Sequence, residues 1–438
     1  MSKKRADMLF YSAIFPIFLL SSLILYYTLP PERRKTALLA FSYTFYGLWN
    51  LPYLLLLVTA TAVAYVSGIA IQRATSGRDK RKALLYSLGL LLGSLALFKY
   101  AGVLGELARL SGFAGGLADS FDRILVPLGI SYYTFKLVSY VVDIYWDKIP
   151  AENDFTAFGL YVAFFPQILS GPIQRPGEFL PQLRCPIATD PKRIVRGLRL
   201  MLFGYFRKFV VADSLAILVN EVYAAPLNYN SACVLLACYA FVIQLYADFS
   251  GFTDIAIGIG RLYGIESPRN FDMPFYSPNL QVLWRRWHMT LTRWLADYVF
   301  MPLRMGFRAW GAWGLAAAIT INFIAIGIWH GATLPFLAFG LLHAFYMCVS
   351  VFTLPQRNAF FDRWPLLAAC RRLWAPLITF QLWTISEIFF RADSLGNAGH
   401  ILRASLTLLM LAAGTARTGG ALEKEYTNRL SQFPPPDP

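Results

Sequence analysis

Four histidines in 438 residues leave the chain few groups able to take up and return a proton near neutrality. His330 stands in Ile326-Gly327-Ile328-Trp329-His330-Gly331-Ala332-Thr333, with mostly apolar residues before it and a long apolar run after it. An ionisable ring at such depth is costly unless it faces a cavity or a partner, so it marks function by default. Neutral imidazole, with an ordinary pKa of about 6.5, is also the natural base for taking a proton from a hydroxyl. A histidine hydrogen-bonded inside a helix bundle would read the same way, and both alternatives stay open.

His288 lies in the stretch Trp284-Arg285-Arg286-Trp287-His288-Met289. At 100° per residue, Leu280, Leu283, Trp284, Trp287, Leu291, Trp294, Leu295 and Tyr298 make one apolar stripe, with Arg286, Arg293 and Asp297 opposite and His288 on the edge. The pattern predicts an amphipathic helix at the cytoplasmic interface or a tunnel mouth. Its arginines would be placed for anionic head groups or a phosphorylated acyl donor. The alternative is an ordinary amphipathic helix with an incidental histidine. His343, inside an apolar run, reads as a packed or hydrogen-bonded helix residue, and His400 as interfacial.

Three further clusters put polar groups where bilayer depth makes them costly. Lys136 and Asp143 share a helical face. Tyr246 to Asp254 carries Asp248, Ser250 and Asp254 in an apolar stretch. Phe164 to Pro176, with Gln167 and Ser170, is broken by Pro and Gly, which is tolerated at depth only where the backbone lines protein or water. Polar bridging between helices is an equal reading for all three. No Walker loop, dinucleotide glycine pattern, H-E-x-x-H or G-x-S-x-G elbow is present, so covalent serine catalysis has nothing to point at. The five cysteines lack metal-ligand spacing and read as packing residues, and no metal site is expected.

The elements that must hold these residues follow from composition. Hydrophobic residues make up 57% and charged residues 15%, far too apolar for one water-soluble core. The fold class is therefore an all-α polytopic transmembrane helical bundle. Apolar runs at 8–29, 36–49, 51–71, 83–107, 124–146, 158–169, 198–223, 232–262, 316–329, 334–353, 374–390 and 401–413 predict about ten to twelve helices. The net charge of +15 falls in short clusters between the runs, the positive-inside pattern, and does not signal nucleic acid. An external N-terminus puts the clusters Arg33-Arg34-Lys35 and Arg73 to Lys82 in the cytoplasm at the cost of only Lys3, Lys4 and Arg5, so that orientation is expected. The short 158–169 run is then read as re-entrant. One transmembrane domain is expected over 1–413, followed by a polar, disordered tail over 414–438.

Six ordered motifs carry a resemblance. They are Pro127 to Phe135, Phe164-Phe165-Pro166-Gln167 with Ser170 to Ile173, Asp248 to Asp254, Trp284 to His288, Trp329-His330-Gly331-Ala332, and Phe389-Phe390-Arg391-Ala392. Together they resemble the membrane-bound O-acyltransferase superfamily, in the bacterial branch that serves alginate O-acetylation and D-alanyl transfer to teichoic acid. The resemblance implies a tunnel through a ring of helices, with His330 as the catalytic histidine and His288 as a second active-site histidine. Trp284, Arg285, Arg286, Trp287, Trp329, Asp248, Ser250, Asp254, Gln167 and Ser170 would line the tunnel or bind substrate. It further implies an acyl thioester such as acetyl-CoA as donor, with no bound cofactor. A periplasmic or extracellular acyltransferase partner, an exported polysaccharide acceptor and a place in the bacterial inner membrane complete the expectation. D-alanyl transfer from a carrier protein, or a transporter without chemistry, are the alternatives.

Overall fold

The computed structural model describes residues 10, 12–110, 121, 124–185 and 189–412, of which no residue is in a strand. The 414–438 tail lies outside them. The chain is an all-α polytopic bundle whose described residues include six helices long and apolar enough to cross a membrane, in Leu51–Arg73, Gly77–Lys99, Ser231–Leu262, Arg308–His330, Leu334–Phe352 and Pro365–Arg391. The helices gather into two compact units, Met1–Tyr205 with Phe252–Asn270, and Phe206–Gly251 with Phe271–Pro438.

The first unit holds α1 (Phe15–Thr28), α2 (Pro31–Trp49), α3 (Leu51–Arg73), α4 (Gly77–Lys99), α5 (Ala101–Leu110), α6 (Ile130–Tyr145), α7 (Phe155–Ala163), α8 (Phe165–Ile168), α9 (Pro176–Phe179) and α10 (Pro191–Phe206). Local sequence sets where they start. Asn50 caps α3 by accepting from the Tyr53 amide, Ser76 caps α4 through Asp79, and Asp154 caps α7 through Thr156 and Ala157. The apolar run at 83–107 is two helices, because the chain breaks at Tyr100. The 158–169 run is likewise α7 and α8, broken at Phe164. Every residue from 157 to 169 is buried in protein, the condition under which broken backbone is tolerated at membrane depth. Gly129, with φ of +69°, shows why α6 starts later than the apolar run: a Cβ there would lie 1.9 Å from the Ile168 carbonyl oxygen. Only glycine lets the 127–129 turn seat on α8.

The second unit holds α11 (Asp213–Ala224), most of α12 (Ser231–Leu262), α13 (Leu280–Arg286), α14 (Met289–Leu295), α15 (Met301–Gly306), α16 (Gly311–His330), α17 (Leu334–Phe352), α18 (Leu354–Arg363), α19 (Pro365–Arg391) and α20 (Leu395–Ala412). Val219, Val222 and Tyr223 of α11 pack with Val234, Ala237 and Phe241 of α12 and with residues of α19 and α20. Helices α16 and α17 cross backbone to backbone. A Cβ on Gly327 would sit 2.3 Å from the Phe336 carbonyl oxygen, and one on Gly340 2.5 Å from that of Phe323. Cys238 is buried as a packing residue, whereas Cys185 and Cys370 are exposed, so that expectation does not extend to them.

Candidate active site

His330 is the last residue of α16, and the chain turns at once into α17. Gly331 makes that turn tight, since a Cβ there would lie 2.6 Å from the Phe336 ring. Aromatic rings flank the imidazole. Phe390 of α19 is edge-on at 4.7 Å between centroids, Phe336 near-parallel at 6.0 Å, and Phe339 edge-on at 6.0 Å. The ring is half-buried, so it is held in orientation and still reachable. A proton acceptor must meet both conditions.

His288 is 3% exposed and lies at a break in the chain. The expected continuous helix over Leu280 to Tyr298 is instead two seven-residue helices, α13 and α14. Trp287 is extended between them, and His288 is left-handed with φ of +41° and ψ of +52°. The stripe is buried as expected at Leu280, Leu283, Trp284, Trp287, Leu291, Trp294 and Leu295, because both short helices keep the same phase. A left-handed non-glycine residue costs on the order of 1–3 kcal/mol, and such strain clusters at functional sites. The break turns the His288 ring edge-on to Phe249 of α12 at 4.7 Å and toward Trp329 at 6.3 Å. The Trp329 ring is also 4.6 Å from that of His330, so one indole touches both imidazoles. Burial, then the neighbouring His330, hold the His288 pKa far below the usual histidine range, at about 3. His288 is therefore neutral at physiological pH.

The other anticipated residues divide. Trp284 and Trp287 are buried beside the site, where Trp287 packs on Phe271 and Trp383. Arg285 is exposed and Arg286 half-buried. Asp248 accepts a hydrogen bond from Lys208 at 2.6 Å. Ser250 is 1% exposed and its hydroxyl makes no hydrogen bond among the described residues. Asp254 is six residues beyond Asp248 on the same helix, so the two carboxylates point to different faces and do not form a pair. Gln167 and Ser170 belong to the first unit, where Gln167 is the hub of a buried network. Its side-chain oxygen accepts from Lys136 at 2.6 Å, and its amide donates to Gln174 at 2.7 Å and Ser267 at 2.8 Å. Ser170 donates to the carbonyl of Leu169. Asp143, on the same helix as Lys136, faces Lys148.

Three residues near the histidines were not anticipated as site components. His343 is fully buried among Trp284, Phe339 and Trp383, with centroids 4.6–5.3 Å away. Trp284 Nε1 donates to His343 Nδ1 at 3.4 Å, which leaves the imidazole proton on Nε2. That Nε2, Trp383 Nε1 and Glu387 Oε2 are buried and make no hydrogen bond among the described residues. Trp383, Glu387 and Phe390 follow one another at helical spacing on α19, so Glu387, 2% exposed, stands a turn from the ring that touches His330. The signal for Glu387 was present: one carboxylate in an otherwise apolar run.

A half-accessible imidazole with a buried one nearby puts two groups able to handle protons in one part of the second unit. Comparison with known proteins agrees. The membrane-bound O-acyltransferase family profile matches residues 149–388. A probable alginate O-acetylase of Pseudomonas putida is 32% identical over 403 residues, covering 90% of this chain and 79% of that protein. A peptidoglycan O-acetyltransferase of Helicobacter pylori is 31% identical over 432 residues, covering 91% and 79%. A teichoic acid D-alanyltransferase of Bacillus subtilis is 30% identical over 245 residues, covering 54% and 60%. The chain belongs to the membrane-bound O-acyltransferase family and is a multi-pass membrane O-acyltransferase.

Proposed function

We propose that the enzyme moves an acetyl group from a cytoplasmic thioester, acetyl-CoA, toward hydroxyls of an exported polysaccharide, with His330 as the base. The observation that carries this is the half-buried His330 ring, fixed by Phe390 and bridged to His288 through Trp329. His330 takes the proton of the attacking hydroxyl as its oxygen bonds to the thioester carbonyl. The thiolate leaves, and the imidazolium returns the proton to it. Neutral His288 supplies one N–H to the charge that develops on the carbonyl oxygen. The two O-acetylating relatives align along nine-tenths of the chain, which supports acetyl over D-alanyl. A periplasmic acyltransferase that completes delivery, and the inner membrane as location, belong to the same reading. The test is host membrane vesicles that retain the protein together with its delivery partner, given radiolabelled acetyl-CoA on one side and a polysaccharide or short glycan on the other. Label in an ester on the glycan supports it. Label transferred only from a D-alanyl carrier protein would replace the donor.

Two results bear on the donor side. With Arg285 and Arg286 both changed to Gln, the apparent affinity for acetyl-CoA should fall about tenfold or more, since phosphate loses charged hydrogen bonds. The effect should vanish for an acetyl thioester lacking phosphate, and an unchanged titration would reduce these arginines to interfacial anchors. In whole cells, a reporter fused after Lys82 should behave as cytoplasmic and one fused near Gly115 as external. Inverted reporter activities would reverse the orientation and the donor side with it.

A further inference from the structure

Lys208 sits in a π-helical turn, Arg207–Ala212, that joins α10 to α11. There the Asp213 amide donates to the Lys208 carbonyl, five residues back. In an α-helix residues five apart point away from each other, but this wider turn brings Asp213 round to the side of Lys208. The Lys208 ammonium meets Asp213 Oδ1 at 2.9 Å and Asp248 Oδ1 at 2.6 Å. Asp248 is the eighteenth of the 32 residues of α12, close to the middle of a membrane-spanning helix. Its side chain is 47% exposed, as is that of Asp213, and Lys208 is 21% exposed. An unpaired charge at that depth would cost about 2.5–3.5 kcal/mol or more against lipid, which favours keeping the three groups together. The residue after Asp248 is Phe249, whose ring is edge-on to His288 at 4.7 Å and to Phe271 at 5.2 Å.

We propose that Lys208 is a positioning residue for acyl transfer, its two-carboxylate clamp fixing the rotation of α12 so that Phe249 holds the His288 ring in place. The inference rests on the proposed role of His288. The clamp contains no group that touches the reacting atoms. Its effect passes from the Lys208 ammonium to Asp248, through one peptide to Phe249, and from that ring to the imidazole.

The experiment compares Lys208→Gln, Lys208→Arg and the exchanged pair Lys208→Asp with Asp248→Lys, each reconstituted in vesicles. Two readouts are taken: steady-state transfer, and the rate at which diethylpyrocarbonate modifies His288, located by peptide mass spectrometry. Lys208→Gln should lower kcat between about ten- and a hundredfold with the donor KM unchanged, and should speed modification of His288. Lys208→Arg and the exchanged pair should restore both. Wild-type modification of His288 in a folded Lys208→Gln protein, or an exchanged pair as impaired as Lys208→Gln, overturns the proposal. If Lys208→Gln does not fold, Asp213→Asn, which leaves the Asp248 bond intact, decides by the same labelling: faster modification supports the clamp, and an unchanged rate overturns it. If the wild type transfers nothing, the proposed function fails, while the labelling still judges the clamp.

Discussion

His330→Ala should abolish transfer while leaving insertion and expression intact. Removal of a positioned general base costs about 10²- to 10⁴-fold in rate. The ring ends α16 and is half-buried, so its loss leaves the Gly327–Gly340 crossing untouched. Phe390, Phe336 and Phe339 still close around the space. Labelled ester on the acceptor, measured at equal amounts of inserted protein, checks the result. Transfer at a wild-type rate would remove His330 from the chemistry and leave the base to be found among the other buried polar groups. His330→Gln is a useful companion, because it restores hydrogen bonding and bulk without a basic nitrogen. It should be as inactive as the alanine variant if proton transfer is what matters.

Gly340→Val should be strongly damaging although the position touches no substrate. A Cβ at Gly340 would lie 2.5 Å from the Phe323 carbonyl oxygen and 3.4 Å from the Ile324 Cα. Those are backbone atoms of a helix and cannot rotate away. Helices α16 and α17 must separate, which moves Phe339 and Phe336 off His330 and opens the ring cluster around His343. Overpacking of this kind costs about 1–3 kcal/mol or more. A lowered unfolding temperature in detergent, together with loss of transfer, is the expected outcome. Gly399 in α20 gives the contrast, since nothing lies within 4 Å of a Cβ placed there. Gly399→Ala should be neutral or stabilise by about 0.5–1 kcal/mol through helix propensity. Equal stability of the Gly340→Val protein would mean that the close crossing does not hold the site.

Much of this was readable from residue types. Apolar run lengths located the spanning helices, and His330 stood out because an imidazole in such a run is rare. The stripe through Trp284, Trp287 and Trp294 gave the correct buried face. It could not reveal the break at His288, because two short helices in phase produce the same periodicity as one, and histidine carries no mark of a left-handed backbone. The Asp248 to Asp254 cluster stood out as polar groups in an apolar stretch, and helical geometry sends its two carboxylates to different faces. Lys208 and Asp213 were passed over for a related reason: in an α-helix they would diverge, and only the π turn makes them neighbours. His343 looked like a packing histidine, and its tautomer-setting contact with Trp284 comes from a helix some sixty residues away in sequence, with a separation of 59. Glu387 needed no tertiary information, only the weight due to a carboxylate in an apolar run.

The length of α12 has a consequence for the membrane itself. At about 1.5 Å per residue, its 32 residues run to roughly 48 Å, against a hydrocarbon layer of about 30 Å. A helix that long must cross obliquely or project beyond the layer. Phe249, the support of the His288 ring, rides on that helix near its midpoint. The helix therefore carries Asp248 and Phe249 well inside the layer while its ends reach beyond it or its axis leans, as the helices packed against it dictate.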